Sequence, residues 1–80
     1  MNYTIISVQF KNKSKEFIGK TYDYLLEKSE DIPRRGDIVR LMDKDCNWVC
    51  HGTRVKVADV LTTENVPNLQ EVTYVKSSMD

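Results

Sequence analysis

The chain has 80 residues, 40% of them hydrophobic and 30% charged, and its formal net charge is zero. That length leaves room for one domain over residues 1–80 with a small core, and the composition excludes wholesale disorder. Zero net charge argues against a protein that coats nucleic acid non-specifically, and apolar runs of only a few residues exclude a membrane-spanning helix.

The chain opens with MNYTIISVQFKN, which has neither the basic start nor the long apolar stretch of a secretory signal. The expected location is therefore the cytoplasm, where Cys46 and Cys50 are free thiols. Within this opening, TIISVQF places Ile6, Val8 and Phe10 on one face and Ile5 and Ser7 on the other, the period of a strand. The polar run KNKSKE reads as an exposed loop. FIGKTYDYLLEK follows as a second strand, because Tyr22, Tyr24 and Leu26 share a face and Gly19 weakens a helix.

SEDIPRRGD is turn-like. Pro33 biases Ile32 toward an extended conformation, and Gly36 supplies a positive φ. DIVRLM is a third strand that buries Val39 and Leu41. GTRVKVADVL is a fourth, with Val55 and Val57 inward and Arg54 and Lys56 outward. Asp59 breaks its alternation, so a bulge is expected near Ala58. TTENVPN is a loop, and LQEVTYVK is the last strand. The fold class is all-β: one small, strongly curved barrel of five to six strands, SH3-like or OB-like, whose closure protects its edges. The expected core is Val8, Phe10, Tyr24, Val39, Leu41, Val55 and Val57, by their shared phase.

DCNWVCHG, residues 45–52, holds both cysteines, the only tryptophan and the only histidine. On a helix, Cys46 and Cys50 would be neighbours and could share a metal. Between two strands, extended or hairpin geometry is expected instead, and four extended residues span about 13 Å, beyond the reach of two thiolates on one zinc. The expectation is no metal and no cofactor, with Trp48 either capping the core or marking a contact surface. One histidine without a nucleophile, scattered carboxylates and no Gly-rich loop before a helix point away from an enzyme.

Charge is unevenly placed. Residues 34–56 carry Arg34, Arg35, Arg40, Lys44, Arg54 and Lys56 against Asp37, Asp43 and Asp45. Residues 57–80 carry Lys76 against Asp59, Glu64, Glu71 and Asp80.

The order of these runs, TYDYLL, then GDIVRL, a hairpin, GTRVKVADV and LQEVTYV, resembles the N-terminal DNA-binding domain of primosomal protein N′, the replication-restart helicase. The resemblance spans nearly the whole chain through short motifs. It implies a small barrel that recognises a DNA 3′ end, with Tyr22 stacking on the terminal base and Asp23 accepting from the 3′-hydroxyl. The stretch MDKDCN stands where that family has a pocket glycine, and Gln70 stands where it has a basic residue. The helicase and zinc-binding regions have no counterpart, which fits a stand-alone barrel of phage or mobile-element origin.

Two functions are therefore expected. The first is a non-enzymatic adaptor that docks on a protein partner through Trp48. The alternative is a module for single-stranded DNA or a DNA 3′ end, in which Tyr22 and Asp23 meet the nucleotide while Arg34, Arg35, Arg40 and Lys44 meet phosphates. The same residues also fit a plainer reading, with both tyrosines in the core and PRRGD a charged turn. No membrane partner is expected, and the oligomeric state is open.

Overall fold

A computed structural model of the chain describes residues 2–27 and 31–76. Within them the chain forms five strands and no α-helix: β1 (Tyr3–Lys11), β2 (Phe17–Leu26), β3 (Ile38–Asp43), β4 (Val55–Thr63) and β5 (Glu71–Lys76). They close into a barrel in the order β1-β2-β5-β3-β4. The expected end of the second strand at Lys28, the start of the following turn at Ser29 and Glu30, and the terminal Asp80 lie outside the described residues.

β1 is the spine. Its alternating Ile6 and Val8 are fully buried, and it pairs antiparallel with β2 on one side and β4 on the other. Across β2, Ile6 faces Tyr24 and Val8 faces Tyr22. Across β4 the register moves from Ser7–Asp59 to Val8–Val57, so Ala58 is an extra residue on β4. This bulge sits where the alternation breaks, and it bends β4 around the core. Val39 and Leu41 of β3, Val55 and Val57 of β4, Leu26 of β2 and Val72 of β5 complete the cluster. Phe10 and Tyr24, expected inside, are only partly buried and pack against its rim. They stand at the barrel mouth, where both line a groove.

The closure is uneven. β2 meets β5 in parallel at Leu25–Glu71 and Leu26–Val72 alone, and β3 meets β4 at Ile38–Lys56 and Val39–Val55. The PRRGD turn is pinned to β4: the Gly36 amide, at φ +88, donates to the Val57 carbonyl, and the Val57 amide donates to the Asp37 carbonyl.

The segment after β3 begins as a hairpin and then departs from one. The Asp43 carboxylate accepts from the Asp45 and Asn47 amides, and Met42 bridges to Trp48. Beyond Trp48 the chain makes a short 3-10 turn, Val49–Gly52, with φ of 50° at Cys50, 60° at His51 and 76° at Gly52. The left-handed region costs a residue with a Cβ roughly 1–2 kcal/mol, so this turn is held by its surroundings. Thr53 holds it from one end, its amide and its hydroxyl both donating to the Cys50 carbonyl.

Candidate functional site

The barrel's mouth between β2 and the Val49–Gly52 turn is open. Phe10, Ile18, Tyr22 and Tyr24 line a groove there, with Cys50, His51 and Thr53 on its far wall. The Phe10 and Tyr22 rings meet edge to face, with centroids 5.2 Å apart. Tyr22 is 38% exposed, and the Lys20 ammonium sits 5.2 Å from its ring centre. Tyr24 is deeper; burial above all, then the neighbouring Cys50 and Tyr22 ionisations, push its phenol pKa up from 10.0.

The groove runs into a basic cleft lined by Lys11, Lys15, Arg40, Gly52, Thr53 and Arg54, with Lys11 and Thr53 shared between the two. No carboxylate is among the residues that line either hollow. The β1–β2 loop that supplies Lys15 is built by Asn12, whose side-chain oxygen accepts from the Ser14 and Glu16 amides. Lys15 itself turns the chain at φ 62°. Phe17, next to the loop, has the ammonium groups of Lys11 and Lys56 at 5.2 and 6.0 Å from its ring centre. Aromatic faces and cations therefore interleave along this end of the barrel.

The residues singled out from sequence fall in four places. Tyr22 lines the groove, and Arg40 lines the cleft beside it. Asp23 points to the opposite face of β2 from Tyr22 and accepts a 2.6 Å hydrogen bond from the Ser7 hydroxyl. Arg35 lies toward that outer face too, 3.2 Å from Asp59, which stands opposite Ser7. With side chains 75% and 42% exposed, this pair contributes little to stability. Arg34 is exposed in its turn, its amide donating to the Asp37 carboxylate. Lys44 lies at the other end of the barrel, on a hollow with Asp43, Asp45, Val66, Pro67 and Leu69. Trp48, 41% exposed, packs over Arg40. Tyr22 and Arg40 are thus brought to one region, while Asp23, Arg34, Arg35 and Lys44 are not.

Sequence reasoning passed over Phe10, Lys11, Lys15, His51 and Arg54 as members of this site. A signal was present in FKNKSKEFIGKTY, where four lysines are interspersed with three aromatics from Phe10 to Tyr22. Cys46 and Cys50 are both free and exposed, and no three potential ligands among the described residues cluster in a way that could hold a metal. No helix among them is long and apolar enough to cross a membrane. Compared with known families, curated proteins and solved structures, the chain matches none.

Proposed function

We propose that this chain is a non-enzymatic binding module for single-stranded nucleic acid, gripping bases in the aromatic groove and phosphates in the basic cleft. The observation that carries this is the continuity of the two hollows through Lys11 and Thr53. Exposed aromatic rings stack on any base and contribute about 1–3 kcal/mol per base. Cations spaced beside them neutralise the phosphates that connect successive bases. A base that takes the exposed Tyr22 ring leaves Lys20, now over that ring, to the adjoining phosphate. Net neutrality of the whole chain is no obstacle, since binding depends on the local charge of the cleft.

The test is a titration of a labelled oligothymidylate of about a dozen nucleotides across a range of salt. Affinity should fall steeply as salt rises. Tyr22→Ala should weaken binding by about 1–3 kcal/mol at every salt concentration. Lys15→Ala should weaken it and reduce the salt slope by roughly one unit. Because the groove lining holds no carboxylate and Asp23 lies on the other face, 3′-hydroxyl and 3′-phosphate oligonucleotides should bind alike. A clear preference for the free hydroxyl, lost in Asp23→Ala, would instead support the end-recognising role implied by the Tyr-Asp-Tyr resemblance.

The second reading is the adaptor. It is favoured by the hollow at the other end of the barrel, where Val66, 71% exposed, and Leu69, 36% exposed, stand with Leu25 and Pro67 among the charged side chains of Asp43, Lys44, Asp45 and Glu71. No oligonucleotide binding even at low salt would leave this reading in place of the first.

A further inference from the structure

β3 turns Val39 and Leu41 into the core and Arg40 outward, beneath the Val49–Gly52 turn. One face and one edge of the Arg40 guanidinium are set by Trp48 and Gly52, at the two ends of that turn. Its carbon lies 4.0 Å from the centre of the Trp48 ring, which covers one face. Its Nε–H donates to the Gly52 carbonyl at 2.8 Å. Its Nη2 packs so closely on Gly52 that a Cβ there would stand 2.7 Å away. Among the described residues no hydrogen bond engages the end-on edge, where Nη1 and Nη2 present parallel N–H bonds, and Arg40 lines the basic cleft. Such a fork matches two oxygens of one phosphate.

The backbone that builds this clamp is the left-handed run Cys50, His51 and Gly52. Strain of this kind collects at ligand sites, where surrounding contacts over-determine it. Here it brings the Gly52 carbonyl and the Trp48 ring onto one guanidinium. A side chain immobilised before binding loses less freedom when a ligand arrives.

We infer that Arg40 is a preorganised phosphate anchor, and that Trp48 and Gly52 are the residues that position it. The inference rests on the nucleic-acid reading in placing that phosphate within a strand; the oxyanion chemistry at Arg40 is independent of it. The surrounding lysines then act as point charges, and Arg40 fixes where the strand lies.

Trp48 is the chain's only tryptophan, so its fluorescence reports on this clamp directly. Titration with inorganic pyrophosphate should give a saturable change in the wild-type protein. Arg40→Lys keeps the charge but loses the fork, and should weaken the response roughly tenfold or more. Gly52→Ala should do the same by displacing Nη2, whereas Lys15→Ala should weaken it only about twofold. Circular dichroism checks that each variant folds; if Gly52→Ala does not, Arg40→Lys carries the test, since that side chain lies outside the core. No saturable response, or equal responses from wild type and Arg40→Lys, overturns the anchor. The same variants titrated with oligothymidylate separate the two claims. Pyrophosphate bound through Arg40 without oligonucleotide binding keeps the anchor, sinks the strand reading and points to a free phosphorylated compound. Oligonucleotide bound equally by wild type and Arg40→Lys keeps the strand and sinks the anchor.

Discussion

Tyr24 marks the border between core and groove. Burial, helped by the nearby Cys50 and Tyr22 charges, raises its phenol pKa above 10.0, so the fold favours the un-ionised ring. The stability this represents is complete below the ordinary tyrosine value and is lost as pH rises through the raised one. Urea midpoints should therefore drop as pH rises past 10.0 in the wild type, and drop less in Tyr24→Phe. Equal losses in both proteins would place the alkaline transition elsewhere. Two chain neighbours, Cys50 and His51, have left-handed backbones, and no third ligand joins them among the described residues. Elemental analysis after dialysis against a mild chelator should show far less than one zinc per chain. A stoichiometric zinc, lost in Cys50→Ser, would overturn that expectation.

β2 shows how register decides which groups meet solvent. The amides of Leu25 and Glu27 donate to carbonyls of Gln70 and Val72, on the side away from β1. By alternation, the amide of Asp23 points off the same edge, while those of Tyr22 and Tyr24 point to β1. Among the described residues no strand pairs with β2 on that side until Leu25. Hydrogen exchange at the Asp23 amide should be much faster than at Tyr22 and Tyr24. Protection of all three alike would mean that the edge is covered. β3, in contrast, is tied into the core. Leu41 is 1% exposed, and Leu41→Ala should cost about 2–4 kcal/mol, visible as a lower urea midpoint. For a small barrel that is a large part of the total.

Across the whole molecule, the strand directions sort the charges. Lys11, Lys15 and Lys20 of the β1–β2 hairpin, with Glu16 between them, meet Arg54 and Lys56 at the start of β4, and Lys44 is the cation among the acids of the other end. Glu27, Asp43, Asp45, Glu64 and Glu71 follow β2, close or follow β3, follow β4 or open β5, at the other end. At about 3.3 Å per strand residue, Asp45 stands at most roughly 17 Å along the chain from Arg40, about two screening lengths at physiological ionic strength. The acidic end therefore does not cancel the field at the basic cleft. Asp45→Asn should change oligonucleotide affinity less than about twofold at that salt, and its effect should grow only at much lower salt. An equally large effect at both would show that the two ends are coupled by contact.

The sequence by itself determined the strands and the phase of most of the core, because a period of two reports burial directly when one face is apolar. Val39, Leu41, Val55 and Val57 were legible in this way, and so was the bulge at Ala58, from the misplaced Asp59. Ile6, Leu26 and Val72 lie in the core beyond the positions expected there, and the turn at Cys50–Gly52 is left-handed where a hairpin is expected. The reason is that CHG, with a single glycine, carries no local signal for three left-handed residues. Only tertiary structure decided the site. Lys11 at the end of β1, Lys15 of the following loop, an arginine of β3 and a tyrosine of β2 converge because closure of the barrel brings strands distant in sequence to one mouth. Strand alternation, already legible in TYDY, turns Asp23 to the far face from its neighbour Tyr22, whereas only the fold shows that Lys44 lines a different hollow from Arg40, four positions before it.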